Sequence, residues 1–242
     1  MTQPDEIRDA VAGHYAGIAV TGRSCCSAST PATGPACCPD DASGYDPTEL
    51  AGLPGPAVMG LGCGNPVARA AIVEGETVLD LGSGGGIDAL LAARRTGPTG
   101  RVIGVDMTPE MVARAETNAA LAGVDNVEFR PGLIEQLPVG DGTVDVVISN
   151  CVINLAPDKA AVFSEAFRVL RPGGRVVISD IVRRGPAPAV IDPQAWASCL
   201  DGALPLGEYL GIMDAAGFTG IEVDDQGGEG ELFSATFRAL RP

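Results

Sequence analysis

At 242 residues and 45% hydrophobic side chains, the chain is long enough to bury one large core, and its 16 basic against 31 acidic residues leave a net charge of −15. That surplus opposes binding to phosphate backbones, which needs clustered cations, and reads most simply as a solubilising surface. No apolar run approaches the ~18 residues of a membrane span, and the start Met1-Thr2-Gln3-Pro4-Asp5-Glu6 lacks the basic and apolar parts of a secretion signal, so a cytoplasmic protein is expected.

Residues 5–19 place Ile7, Ala10, Val11, Tyr15 and Ile18 near helical spacing, predicting an amphipathic helix that holds the single histidine, His14, in a packing role or a lid contact. Residues 22–56 are rich in Gly, Pro, Ser, Thr and Asp and predict a loop or lid rather than packed core. The pairs Cys25-Cys26 and Cys37-Cys38 lie there, open between a zinc knot, a second metalloid site and plain loop thiols. In a reducing compartment the seven cysteines are expected to be catalytic, metal-binding or buried rather than a disulfide framework. Cys63 precedes Asn65-Pro66, a helix start whose dipole is expected to lower the thiol pKa. The expected division is an N-terminal helix with its cysteine-rich segment, 1–65, and a second unit, 66–242.

From residue 76 strands alternate with helices: strands at 77–82, 101–106, 127–130, 144–150 and 175–181, helices at 86–95, 109–122 and 158–170. Thr108-Pro109-Glu110 combines a Thr cap, Pro in the first helical position and an acid at the positive dipole end. Gly123 ends that helix, and Arg171-Pro172-Gly173-Gly174 ends the next. Lys159, the one lysine among fifteen arginines, reads as coding bias. Such alternation implies parallel βαβ units. A helix at 206–216 and strands at 219–225 and 232–239 complete a mostly parallel seven-stranded sheet with helices on both faces, a Rossmann-like α/β fold.

The first strand runs into Gly82-Ser83-Gly84-Gly85-Gly86-Ile87, a loop that lets backbone approach a ligand at a helix N-terminus. Ile87 stands where a dinucleotide fingerprint has its last glycine, which disfavours NAD. Asp106, ending the second strand, is placed to accept both hydroxyls of a ribose. These segments resemble the class I S-adenosylmethionine-dependent methyltransferases over roughly residues 70–240. The resemblance implies S-adenosylmethionine as cofactor. The site it implies comprises Asp80, Gly82, Ser83, Gly84, Asp106, Met107, Ile134, Glu135 and Asn150, with Asp80 toward the sulfonium and Ile134 and Glu135 at the adenine edge.

A thiol ends the fourth strand, Val144 to Cys151, and a soft ligand there points to a soft acceptor. Within the superfamily, Leu61-Gly62-Cys63-Gly64-Asn65-Pro66, Ser149-Asn150-Cys151-Val152-Ile153-Asn154-Leu155 with Asp158-Lys159, the stretch from Trp196 to Ala203, and Phe233-Ser234-Ala235-Thr236-Phe237-Arg238 are similar to the arsenite methyltransferases. That family binds trivalent arsenic through thiolates and methylates it. By position, Cys63, Cys151 and Cys199 match its arsenic-binding and redox cysteines. The resemblance further implies arsenite and methylarsenite, arriving as thiol conjugates, as substrates, and a disulfide reduced by thioredoxin or glutathione. A fourth, N-terminal family cysteine would be one of Cys25, Cys26, Cys37 and Cys38.

The chain departs from the family in having Gly60-Leu61 where animal members place aromatic residues, and in stopping after the last core strand where many members continue. Two other functions are weighed. A C-methyltransferase of quinone-like metabolites would need a general base. A metalloid sensor without catalysis would not need the intact cofactor loop.

Overall fold

The computed structural model describes residues 4–22, 44–188, 192, 196–199, 201–225 and 230–242. Cys25, Cys26, Cys37 and Cys38 lie outside the described residues. Seven strands, β1 (Thr77–Leu81), β2 (Arg101–Asp106), β3 (Val127–Pro131), β4 (Val144–Asn150), β5 (Leu170–Arg183), β6 (Thr219–Asp225) and β7 (Leu232–Leu240), form one sheet in the order β3-β2-β1-β4-β5-β7-β6. Pairings from β3 across to β5 are parallel, and β7 joins antiparallel to both β5 and β6. The strand order reverses between β1 and β4, so loops leaving their carboxyl ends diverge and open a crevice between them.

The helices are α1 (Pro4–Thr21), α2 (Pro47–Leu50), α3 (Pro66–Arg69), α4 (Ile87–Thr96), α5 (Pro109–Ala122), α6 (Lys159–Val169) and α7 (Leu206–Ala215). Central strands are buried on both faces and therefore read as continuous apolar runs. Leu79, Leu81, Val105, Val147 and Ile178 meet Phe163 of α6 and Tyr209 of α7 on one face. The alternate residues Val78, Val102, Val146, Ile148 and Val177 meet Leu90 of α4 and Ala115 of α5 on the other. The expected seven-stranded, mostly parallel Rossmann-like fold is what the chain adopts.

Local differences from the sequence expectations have local causes. Helix α6 ends at Val169, as the Pro-Gly-Gly run requires, but β5 begins at once: Leu170 pairs with Val144 before a register shift leads to the Val146–Arg175 pair. Gly123 closes α5 in the left-handed region (φ 63°), donating to Ala119 and Ala120. Thr108 occupies the cap position of α5, yet its side chain makes no cap hydrogen bond. That side chain bonds the Asp106 carboxylate instead, which also accepts the Thr108 N–H at 2.9 Å in a tight Asx-type turn. Asn65 does cap α3, accepting from the Ala68 N–H at 2.9 Å, but that helix is a single turn.

Candidate active site

A cleft of about 1160 Å³, counted with the solvent space at its mouth, opens over the carboxyl ends of β1, β2 and β4. Its walls include the glycine loop, Asp80, Asp106, Met107, Ile134, Glu135, Asn150 and Cys151, with Arg8, Val11 and Tyr15 of α1 across the opening. Every residue expected to bind the cofactor therefore borders one space. Tyr15 and Tyr45 supply aromatic wall that Gly60-Leu61 do not.

The glycine loop is shaped by what a side chain would strike. Gly82, Gly84 and Gly86 all have positive φ. A Cβ on Gly82 would lie 2.2 Å from Val152 Cγ2, so only glycine lets the β1 turn pass under the β4 loop. At Gly84 a Cβ would meet nothing within 4 Å, because that residue faces the cleft. Asp106 pins the loop: its Oδ2 accepts the Gly84 N–H at 2.9 Å while Oδ1 holds Thr108. The ends of β1 and β2 are thereby locked together, with the Thr108 side chain a third donor to the carboxylate, whose roughly four lone-pair sites leave room for a further donor.

Asp80, beneath this loop, and Ser83, within it, have buried oxygens, Asp80 Oδ2 and Ser83 Oγ, with no hydrogen-bond partner among the described residues. Burial, then the negative charges of Asp88 and Asp106, push the Asp80 carboxyl well above the usual carboxylate range, against one backbone hydrogen bond from Ala89. Orphaned acceptors below a glycine cradle and a carboxylate at the second strand end suit a ligand with a cationic head and a ribose diol. S-adenosylmethionine is such a ligand, and the residues present fit it.

A pH dependence follows. A cation beside Asp80 favours its ionised form, so at pH below the raised pKa, binding must expel a proton. Affinity for S-adenosylmethionine should therefore rise with pH until Asp80 ionises unaided, and then level. Calorimetry in buffers of differing ionisation enthalpy should show this release, and Asp80→Asn should remove it. Equal proton release by the variant would place the proton elsewhere.

Cys63, Cys151 and Cys199 are reduced and buried in one apolar cluster with Ile7, Val11, Leu155, Ile181 and Trp196. Cys151 sits on the cleft wall and contacts both others through its thiol. Its N–H extends the sheet ladder by one bond, to Ser179 O at 2.8 Å, and then the chain turns at φ 58°. Cys199 has φ 65°, and among the described residues Ala71 is the one other non-glycine with positive φ. Left-handed backbone costs roughly 1–2 kcal/mol per residue, and two of the three thiols are aimed by it.

The expectation that a helix dipole lowers the Cys63 pKa is not met. Burial dominates over one turn of α3 and pushes the thiol up, although hydrogen bonds with Cys151 and Ser234 pull the other way. At Cys151 the hydrogen bond with Cys199 lowers the pKa, but the bond with Cys63 and burial prevail and raise it well above the ordinary thiol. At Cys199 the bond with Cys151 and burial both raise it. These are three neutral thiols in one buried apolar cluster.

Asn150 has a second set of contacts besides its place on the cleft wall. Its Oδ1 accepts the Cys63 N–H at 3.0 Å and its Nδ2 donates to Gly64 O (2.8 Å), Tyr45 Oη (2.9 Å) and Asp88 Oδ2 (3.1 Å). Ser234 Oγ donates to Cys63 O at 2.6 Å. The Cys63 loop is thus clamped between β4 and β7. Asp88 is raised to about 6 by burial, which outweighs the hydrogen bonds from Tyr45 and Asn150.

Asp180 and Lys159 also escape the sequence reading. Asp180 is buried near the end of β5, with an oxygen within 4.8 Å of the sulfurs of Cys63 and Cys151. Its carboxyl is raised to about 7 by burial, offset by the Ile181 N–H, the Lys159 charge and the Asn154 N–H. Lys159 is no compositional accident: it is buried, donates to Asn154 O and Ala156 O, and lies 4.8 Å over the Trp196 ring. Desolvation lowers its pKa to about 8 against the pull of Asp180. Trp196 in turn donates to Leu155 O at 3.0 Å, seating the Cys199 segment beside Cys151. The signal available in sequence was an acid ending the apolar run Val176-Val177-Ile178-Ser179-Asp180.

Comparisons agree with this architecture. The methyltransferase domain family matches residues 72–219. An arsenite methyltransferase of Halobacterium salinarum is 49% identical over 231 residues, covering 91% of this chain and 59% of that protein. One from Aquipseudomonas alcaligenes is 39% identical over 74% of this chain and 58% of its own length. The chain thus spans less than two thirds of these curated relatives. The crystal structure of an arsenic(III) S-adenosylmethionine methyltransferase from Chlamydomonas reinhardtii superposes with a TM-score of 0.67 at 39% identity, over 81% of this chain and 70% of that one. Among the described residues no helix is long and apolar enough to cross a membrane. With its glycine loop, its strand-end aspartate and its three clustered cysteines alongside these relatives, the chain belongs to the arsenite methyltransferase family of class I S-adenosylmethionine-dependent methyltransferases.

Proposed function

We propose that the chain carries the catalytic core of an arsenite methyltransferase, holding trivalent arsenic on Cys63, Cys151 and Cys199 and methylating it from the adjoining cleft. The observation that carries this reading is the burial of three thiols in one cluster, with Cys151 on the wall of the glycine-loop cleft and in contact with both Cys63 and Cys199. Gly82, Ser83, Gly84, Asp80, Asp106, Met107, Ile134 and Glu135 would hold S-adenosylmethionine, which supplies an electrophilic methyl group when bound.

The protein's own contribution is to bind, orient and keep dry. Arsenite exchanging onto three thiols releases one water per As–S bond and leaves a neutral arsenic trithiolate. A neutral product suits thiols that resist ionisation in an apolar pocket, where an uncompensated charge would be costly. Soft sulfur ligands leave the arsenic lone pair free as the nucleophile, so no general base is required. Cys151, nearest the cleft, directs that lone pair toward it. Methylation raises arsenic to the pentavalent state. A pair of the thiolates then supplies two electrons, returning arsenic to the trivalent state and forming one disulfide. Thioredoxin or glutathione would reduce that disulfide in a reducing compartment such as the cytoplasm. In this reading the chain divides into an N-terminal part, 1–65, whose helix α1 lines the cleft through Arg8, Val11 and Tyr15, and the methyltransferase unit, 66–242.

The direct test is incubation with arsenite, S-adenosylmethionine and a thiol, followed by arsenic speciation. Methylated arsenic should form, and a variant with all seven cysteines replaced by serine should make none. A quinone methyltransferase would survive that replacement, and a sensor would bind arsenite without consuming S-adenosylmethionine.

The Asn150 clamp gives a further expected result. Asn150→Ala removes both hydrogen bonds by which its side chain holds the Cys63 loop, to the Cys63 N–H and Gly64 O, so the third thiol should lose its position. Arsenite, with three exchangeable positions, should bind roughly tenfold or more weakly, the scale of losing a hydrogen bond that orients a ligand. Methylarsenite, with two, should change far less. Equal weakening of both would mean that Asn150 does not act through Cys63.

A further inference from the structure

We propose that Cys63, Cys151 and Asp180 form a mixed sulfur–oxygen site for a divalent cation of borderline softness, Zn²⁺ or Cd²⁺, overlapping the arsenic site but not identical with it. The cation site stands on its three ligands alone; only its competition with arsenic rests on the function proposed above.

The ligand atoms of these three buried residues all lie within 4.8 Å of one another. A tetrahedral zinc with Zn–S bonds of about 2.3 Å spaces its sulfurs about 3.8 Å apart, so the site needs to close by about 1 Å at most. Two sulfurs and one carboxylate oxygen form a donor set that borderline cations accept. Cys199 contacts Cys151 but stands outside this three-atom group.

The surroundings of Asp180 are those of an oriented ligand. The Ile181 N–H donates to Oδ1 at 2.9 Å, while the Asn154 N–H (3.2 Å) and the Tyr209 hydroxyl (3.4 Å) donate to Oδ2. Such contacts fix a carboxylate's direction and leave it lone pairs for a metal. Charge discriminates between the two occupants. Two thiolates and a carboxylate around a divalent cation carry one net negative charge, which the buried ammonium of Lys159 balances; two thiol protons leave to the buffer. Arsenic on three thiolates is neutral and has no use for the carboxylate. Arsenic therefore takes Cys63, Cys151 and Cys199, the cation takes Cys63, Cys151 and Asp180, and the two exclude each other.

The test uses the full, reduced chain with Cys25, Cys26, Cys37 and Cys38 replaced by serine, so that those thiols do not contribute. Cd²⁺ alone is titrated and read by its ultraviolet sulfur-to-metal charge-transfer band, and Zn²⁺ by competition with a chromophoric chelator. One equivalent should bind, and Asp180→Asn should weaken binding by on the order of 10–100-fold while arsenite affinity changes less than about threefold. Asp180→Glu, which keeps a carboxylate, should recover part of the cation affinity, and this holds the test open if the asparagine variant folds poorly. Cation binding that is unchanged in Asp180→Asn, or arsenite binding that falls equally, would overturn the site. If Cd²⁺ binding depends on Asp180 but arsenite fails to displace it, the cation site stands and the arsenic assignment of these cysteines falls.

Discussion

Cys151→Ser should abolish methyl transfer to both arsenite and methylarsenite, by at least about 100-fold, since a hard hydroxyl replaces a soft ligand. Cys151 touches both other thiols and borders the cleft, so no pair of sulfurs remains that faces the donor without it. Serine is close in size to cysteine and no more strained at φ 58°, so the fold should persist. Cys199→Ser should behave alike. Cys63→Ser should lose activity on arsenite, which needs three thiolates, yet retain a measurable part on methylarsenite, which needs two. Product speciation for each variant with each substrate decides the matter. Equal loss by all three variants on methylarsenite would refute this division among the thiols.

Asp106→Ala should lower affinity for S-adenosylmethionine by about 100-fold or more. The carboxylate is the acceptor offered to a ribose diol, and charge-assisted hydrogen bonds contribute roughly 1.5–3 kcal/mol each, where 1.4 kcal/mol is tenfold in affinity. It also holds the Gly84 and Thr108 amides, so the glycine loop loses its shape along with the acceptor. The cost in stability should be about 1 kcal/mol, a few degrees in melting temperature for a chain of this size, because both freed amides can turn to water. Calorimetry and thermal denaturation together separate the two effects, and undiminished affinity would remove Asp106 from the site.

The sheet was legible in sequence because its determinants are local. Val78-Leu79-Asp80-Leu81 alternates between two buried faces and runs straight into glycines that the turn requires, and Pro109 and Gly123 bracket α5 with their own backbone preferences. What escaped was decided by contacts between distant segments or by competition between neighbours. Thr108 was expected to cap α5, but its side chain is drawn to the Asp106 carboxylate two residues earlier. The Cys63 thiol was expected to be acidified by Asn65-Pro66, but burial under β7 and α1 outweighs one helical turn. Asn150 lies in a motif that pointed to the cofactor, while its four hydrogen bonds run to Tyr45, Asp88, Gly64 and Cys63, none of them adjacent in the chain. Asp180 and Lys159 carry opposite charges into the apolar interior, and only the packing of Trp196 and the Asn154-Leu155 turn brings them below the thiols.

The central claim is that three buried thiols hold trivalent arsenic beside the methyl donor. X-ray absorption at the arsenic edge, on the reduced protein loaded with one equivalent of arsenite, reads this directly. The first shell should be three sulfurs with no oxygen, and oxygen should enter it in Cys151→Ser. An arsenic atom that keeps its oxygen shell in the unaltered protein would contradict the account.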